Sequence, residues 1–231
     1  MKPWRKSMWC IPPEQDSAFV CAMEQVLEVY RRPADAKFPV VCMDEQSKQL
    51  IAETRTPIPA ASGRVAREDF EYVREGVCVV WMFADPLGGW REVPVTATRT
   101  AVDWALQLKW LVDHPRYAGA ERITLVCDNL NTHGLASLYK AFAPAEAMRI
   151  ARKVELVHTP RHGSWLNVAE IELSVLTRQC LDRRIAELRV VQSEAAAWAT
   201  ERNRKQVGVD WQFTTADARI KLKRIYPKIT E

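Results

Sequence analysis

The stretch of residues 123–133, ITLVCDNLNTH, constrains the fold of this chain more than any other segment. Its first five residues form a near-continuous apolar run rich in β-branched side chains, which is typical of a strand buried on both faces between helices. The run ends abruptly in Asp128 and Asn129. Because open α/β sheets place ligand-binding groups at the carboxyl ends of their strands, Asp128 is a candidate functional residue. An Asp-Asn pair after a strand is also ordinary turn chemistry, so this stretch alone does not decide between the two interpretations.

A second apolar run, residues 38–43, ends in the same way, in Asp44 and Glu45. It predicts a second strand that carries an acid at its carboxyl end. We expect a less regular loop over residues 46–69. The strand-like runs on either side of Glu75 and Gly76 predict a hairpin over residues 70–84.

The rest of the chain is predicted to contain both strands and helices. Strands are expected over residues 90–96 and 154–157, and helices over residues 16–30, 100–112, 135–142, 144–152, 166–181, 187–203 and 215–226. Antiparallel strands followed by alternating strands and helices indicate an α/β protein with a mixed sheet and helices on both faces. We divide it into an N-terminal arm and helix (residues 1–36), an α/β domain (37–182) and a C-terminal basic helical extension (183–231).

Composition excludes several classes of protein. A chain of 231 residues, 48% hydrophobic and 27% charged, can bury one substantial core. Its six cysteines are far apart and form no Cys-x-x-Cys motif, which argues against a zinc site and a disulfide framework and favours a reducing, cytoplasmic setting. No apolar run approaches the length of a membrane span, and the N-terminus lacks the apolar region of a signal peptide.

Basic residues gather near both ends of the chain, and the net charge of +4 is compatible with a polyanionic partner. The arm over residues 1–13 combines them with Trp4 and Trp9. The basic residues of the tail are Arg202, Arg204, Lys205, Arg219, Lys221, Lys223, Arg224 and Lys228. Such clusters either contact a DNA backbone or form a solvated helix face, and the sequence leaves both interpretations open.

The helix expected over residues 166–181 offers a third acid, either Glu170 or Glu172. Positions two residues apart on a helix differ by about 200°, so only one of them can face a given site. Apolar residues form two arcs on this helix, which predicts that other parts of the protein pack against two of its sides. One glutamate lies in each of the two gaps between the arcs. Asn167, three residues before Glu170, also matches a capping box that would occupy the Glu170 carboxylate. The residues alone do not choose between the glutamates.

Three motifs together resemble the catalytic domain of the IS630 family of bacterial transposases, which belongs with the Tc1/mariner elements in the DDE superfamily. They are Met43-Asp44-Glu45, then Cys127-Asp128-Asn129 with His133, and finally Ser164-Trp165-Leu166-Asn167-Val168-Ala169-Glu170. The last motif departs from the family pattern, because Val168 stands where proline is usual. The family's N-terminal helix-turn-helix region has no counterpart in this sequence. We therefore expect a catalytic half, either one that works with a separate helix-turn-helix subunit or a truncated copy.

The resemblance implies an RNase H-like fold in which Asp44, Asp128 and Glu170 bind two Mg²⁺ ions, with Mn²⁺ as a substitute. It implies DNA strand cleavage and strand transfer at insertion-sequence ends, with terminal inverted repeats and target DNA as partners and a homodimer as the active form. Candidates for orienting the substrate are Asn129, His133, Arg161 and His162. Because converging acids repel one another, at least one should have a raised pKa without metal. The alternatives are a simple nuclease with the same fold and a non-catalytic DNA-binding remnant.

Overall fold

The computed structural model describes residues 11–228, so most of the predicted arm, including Trp4 and Trp9, lies outside the described residues. The strands are Val40–Glu53 (β1), Tyr72–Asp85 (β2), Trp90–Glu92 (β3), Val95–Thr96 (β4), Ile123–Cys127 (β5) and Val154–His158 (β6). The helices are Ser17–Tyr30 (α1), Ala101–Asp113 (α2), Leu138–Ala141 (α3), Pro144–Lys153 (α4), Val168–Leu176 (α5), Leu188–Arg204 (α6) and Thr215–Lys221 (α7).

The strands form one mixed sheet in the order β3-β2-β1-β5-β6, with β4 beside β2. β2 runs antiparallel to β1 and β3, whereas β5 runs parallel to both of its neighbours, β1 and β6. In the parallel pair β1–β5, Cys42 lies opposite Val126. The predicted mixed sheet is therefore confirmed.

Helices cover both faces of this sheet, as predicted. Alternate side chains of a strand point to opposite faces, so the sheet serves two hydrophobic cores. Cys42 and Val126 face the core that contains side chains of α1, α5, α6 and α7. Val41 and Leu125 face the core that contains side chains of α2 and α4. The helices of the predicted N-terminal segment (residues 1–36) and C-terminal segment (183–231) thus contribute to the first core. The division of the chain into three segments stays a prediction.

Two predictions about the first two strands are wrong. β1 continues through Glu53, where an irregular loop was expected, and β2 runs unbroken through the residues expected to turn. Leu50 pairs with Gly76 and Ile51 with Arg74, so Glu75 is the extra residue of a β-bulge. Gly76 has a φ of +117°, a value that suits a bulge as well as a turn. The outer half of β2 is exposed and the outer half of β1 is mostly half-buried, so neither has the continuous apolar run by which a buried strand is recognised.

The helix expected over residues 166–181 is divided into three parts. A 3₁₀ turn at Ser164–Leu166 precedes α5, and a π-helical turn at Thr177–Leu181 follows it. π-helical turns within helices are frequently found at functional sites. No helix in the described part of the chain is long and apolar enough to cross a membrane.

Candidate active site

Asp44 and Asp128 lie side by side at one edge of the sheet. Cys42 of β1 and Val126 of β5 are paired across two parallel strands. Asp44 comes two residues after Cys42, and Asp128 comes two residues after Val126. The strands therefore carry both aspartates to the same level. Asp44 is 9% exposed and Asp128 is half-buried, and the negative charge of Asp128 acts on Asp44.

Glu170 approaches Asp44 from the helix side. It lies in the first turn of α5, and α5 packs against β1 and β2. The side chains of Asp44, Glu45 and Glu170 line one open cleft, which extends along α5 to Ser174 and Arg178. The carboxylate of Glu170 has no hydrogen-bond or ion-pair partner within residues 11–228. Glu170 is therefore free to bind a ligand in the cleft.

Asn167 fastens the start of α5 to β1 at Met43 and Asp44. Its side chain is fully buried, and its Nδ2 donates a hydrogen bond of 2.8 Å to the carbonyl oxygen of Met43. The same Nδ2 lies 3.4 Å from Oδ2 of Asp44. Its Oδ1 accepts from the N–H of Ala169, 3.1 Å away, and so caps the helix. The sequence motif contained Asn167, but its link to β1 was not predicted.

The capping-box hypothesis for Glu170 is wrong. Asn167 does cap α5, but the Glu170 side chain does not bond back to the backbone N–H of Asn167. The carboxylate that a capping box would occupy is available to the cleft.

Glu172 lies on the opposite side of α5, where it is 1% exposed and forms ion pairs with two arginines. Its Oε2 lies 3.0 Å from Nε of Arg91, and its Oε1 lies 2.8 Å from Nη2 of Arg202. The expectation of a helix sandwiched between two apolar arcs is also wrong, because Ile171 is 40% exposed. α5 buries one face, and Glu172 is part of that face.

The aspartates differ in their electrostatic environment. Burial raises the pKa of Asp44 to about 7, and the charges of Glu45, Asp128 and Glu170 add to the rise. Burial acts in the same direction on Asp128, but a hydrogen bond from His133 and the charge of that imidazole outweigh it and lower the pKa. Asp44 thus has the raised pKa expected for one acid of a metal-free cluster.

His133 is buried behind Asp128. Its Nδ1 is hydrogen-bonded to Asp128, and its Nε2 lies 3.4 Å from a carboxylate oxygen of Glu45. Ligand atoms of Glu45, Asp128 and His133 all lie within 4.8 Å of one another. Since the ring is 2% exposed, His133 contacts these acids and not the solvent.

The other predicted substrate-orienting residues are at the surface. Asn129, Arg161 and His162 are exposed, and together with Asp128 they line a second open cavity. His162 has a φ of +62°, which is uncommon for a residue other than glycine. These three residues therefore flank Asp128 on the side exposed to solvent.

Much of the basic tail is paired within the chain. Arg202 pairs with Glu172, Arg204 and Lys205 with Glu201, Arg219 with Glu24, and Lys221 with Asp217. These contacts favour a structural role for this part of the tail.

Comparison with known proteins agrees with this architecture. The family model described as "DDE superfamily endonuclease" matches residues 39–192. A search of curated proteins found no match.

Several structures of the Mos1 mariner transposase resemble the chain. Its paired-end complex with Mn has 16% sequence identity and a TM-score of 0.54, with 89% of this chain and 63% of that chain covered. The Mos1 strand transfer complex has 15% identity and a TM-score of 0.57, with coverages of 87% and 61%. The isolated Mos1 catalytic domain has 14% identity and a TM-score of 0.53, with coverages of 88% and 100%. The chain thus spans about three fifths of the two longer Mos1 chains.

These similarities define the class of the fold, which is the RNase H-like mixed sheet of transposase catalytic domains. Because the matching family model covers well over half of its residues, the chain belongs to the DDE superfamily of endonucleases.

Removing the charge of either glutamate of α5 should affect the stability of the protein very differently. We expect Glu172→Gln to lower the free energy of unfolding by about 3 kcal/mol, because it leaves the buried guanidinium of Arg91 without full compensation. Glu170→Gln is the matched control and should change stability by less than about 0.5 kcal/mol. Urea unfolding monitored by circular dichroism measures both. Equal losses would contradict the assignment of different roles.

The raised pKa of Asp44 predicts how metal-free stability depends on pH. Its folded pKa of about 7 lies above the ordinary aspartate pKa of 3.8, so its contribution to stability is fully present below pH 3.8 and is lost as pH rises through 7. Asp44→Asn should therefore be more stable than the wild type at pH 8, by on the order of 2 kcal/mol. Asp128→Asn should be destabilised at the same pH, because the pKa of Asp128 is lowered. Urea unfolding from pH 5 to pH 8 in a chelator tests this, and a less stable Asp44→Asn protein at pH 8 would refute it.

Proposed function

We propose that this chain is the catalytic part of an IS630-type DDE transposase, which cleaves DNA strands at insertion-sequence ends and transfers them to target DNA. The observation that carries the proposal is that two other acids, Asp128 and Glu170, lie close enough to Asp44 for their charges to act on it. Asp44 and Asp128 come from adjacent parallel strands, and Glu170 of α5 lines the same cleft as Asp44. The partners would be terminal inverted repeats and target DNA in the bacterial cytoplasm. A second copy of the chain and a helix-turn-helix subunit complete the proposed assembly.

The donor set supports binding of hard divalent cations. Carboxylates line the cleft around Asp44 and Glu170, and no cysteine or histidine does so within the described residues. Mg²⁺ and Mn²⁺ prefer oxygen ligands of this kind. Burial raises the pKa of Asp44, and neighbouring negative charges, which a cation would offset, add to the rise. We propose Asp44, Asp128 and Glu170 as the residues that hold two such ions. When bound, the ions would stabilise the charges on the attacking and leaving oxygens of a phosphoryl displacement.

The surrounding side chains have separate roles in this proposal. Asn167 fixes the distance between Met43 of β1 and the start of α5, and therefore between Asp44 and Glu170. Arg161 and His162 lie on one side of Asp128, where they would contact phosphates of the substrate strand. Arg178 is exposed on the other side of the cleft, within the π-helical turn. The acids thus lie between cationic side chains that suit a polyanion.

Loss of any of the three acids should abolish cleavage. We expect Asp44→Asn, Asp128→Asn and Glu170→Gln each to reduce Mg²⁺-dependent cleavage by about 10³-fold or more, by analogy with losses of essential catalytic groups. Glu121→Gln is the control, because Glu121 is exposed just before β5, at the end of that strand opposite to Asp128. The substrate is a plasmid carrying the inverted repeats that flank the coding region, assayed with and without the upstream reading frame. Full activity of any acid variant would refute the proposed site.

Arg178 should affect substrate binding more than chemistry. Within residues 11–228 its guanidinium has no ion-pair partner, and it lies at the rim of the cleft. Arg178→Gln should raise the apparent KM for DNA about 3- to 10-fold at 150 mM salt while kcat stays nearly constant, because it removes one phosphate contact. Arg122→Gln, an exposed arginine beside Glu121, should leave KM unchanged. A fall in kcat alone for Arg178→Gln would contradict this role.

A further inference from the structure

His133 is fixed by its surroundings. It lies in the turn between β5 and the 3₁₀ turn Leu135–Ser137, and its backbone N–H donates a hydrogen bond of 2.8 Å to the carbonyl oxygen of Leu130. Its ring stacks on Trp104 of α2, with ring centroids 5.7 Å apart and an interplanar angle of 24°. Both side chains are at most 2% exposed. The imidazole therefore has little freedom to move and no access to an incoming DNA strand.

Each nitrogen of this ring faces a different carboxylate. Nδ1 donates to Oδ1 of Asp128, and Nε2 lies 3.4 Å from Oε2 of Glu45. Both Nε2 and this Glu45 oxygen are buried, and neither has a hydrogen bond of standard geometry to another described residue. Burying such groups is costly without compensation, so their mutual attraction is what stabilises this arrangement. Nη1 of Arg99 lies 3.6 Å from the other oxygen of Glu45 and places a positive charge beside that carboxylate.

This arrangement suits a bridge better than a metal centre. The two nitrogens of an imidazole point away from each other, so one ion cannot bind both. Nδ1 is already occupied by Asp128, whereas Nε2 faces Glu45. Asp128, in contrast, has a side chain that is 35% exposed and can reach a ligand outside the bridge.

We infer that His133 is a positioning residue, which holds the carboxylate of Asp128 for metal binding and is itself held in place by Glu45. The inference rests on the proposed function, because it assigns these residues a role through Asp128 as a metal ligand. A carboxylate at a strand end can rotate, and a ligand that rotates binds an ion more weakly. Partners of this kind commonly change metal affinity 10- to 100-fold when they are removed.

The test measures the affinity of the full chain for Mn²⁺ by electron paramagnetic resonance, with circular dichroism to confirm folding. We expect His133→Ala to weaken Mn²⁺ binding by about 10- to 100-fold. His133→Asn keeps an N–H donor near the position of Nδ1 and should recover most of that affinity. His114→Ala is the matched control, since His114 also packs against tryptophans, Trp90 and Trp110, but lies at the other end of α2. It should bind Mn²⁺ as the wild type does.

Glu45 supplies the second part of the test. If it acts through His133, Glu45→Gln weakens Mn²⁺ binding in the wild type but causes no further loss in His133→Ala. An equal loss in both backgrounds would mean that Glu45 binds the ion itself and would overturn the inference. Unchanged affinity of His133→Ala, or equal losses in the Ala and Asn variants, would also overturn it.

Two further outcomes are distinguishable. If His133→Ala does not fold, the effect of Glu45→Gln on Mn²⁺ affinity is measured in the wild-type and His133→Asn backgrounds instead. An equal loss of affinity in both backgrounds overturns the inference. A wild-type chain that binds no Mn²⁺ overturns the proposed function together with this inference. A wild-type chain that binds Mn²⁺ while its His133 variants bind equally well overturns only the inference.

Discussion

The parallel pairing of β1 with β5 is the constraint on which the arrangement of this protein depends. A strand buried on both faces has a fixed register, because a slip of one residue would move every side chain to the opposite core. With Cys42 opposite Val126, the residues two positions later, Asp44 and Asp128, reach the edge of the sheet together. The hydrophobic cores on the two faces thus determine the positions of two charged groups that neither core contains.

Bringing acids together has an energetic cost, which the rest of the structure offsets. The raised pKa of Asp44 reflects part of that cost, since it arises first from burial and then from neighbouring negative charge. Asn167, whose Nδ2 approaches Asp44, and His133, bonded to Asp128, both present N–H groups to these carboxylates. Groups whose pKa values are shifted by burial and by a specific charge partner are concentrated at functional sites. Here the two aspartates are shifted in opposite directions by two different surroundings.

α5 separates two glutamates that are close in the sequence into two unrelated roles. Glu172 is held between Arg91 and Arg202, which lie 81 and 30 residues away in the chain. This buried ion pair network links the helix to β3 and α6 and so fixes its rotation. Glu170 then faces the cleft on the other side of the helix. A structural ion pair on one face therefore orients a candidate ligand on the other.

The sequence by itself determined those strands and helices that a pattern of neighbouring side chains predicts. Apolar runs that stop at an acid predicted the buried start of β1 and the end of β5, and the order of strands and helices predicted a mixed sheet covered on both faces. The outer half of β1 was missed and β2 was divided by a turn that does not exist, because partly exposed strands have no continuous apolar run. Periodicity did not choose between Glu170 and Glu172, and the resemblance to a family favoured Glu170 without a physical reason. Tertiary structure supplied that reason, and it also placed His133 between two carboxylates and Asn167 against β1. Contacts of this kind join residues far apart in the chain, so no local pattern of side chains encodes them.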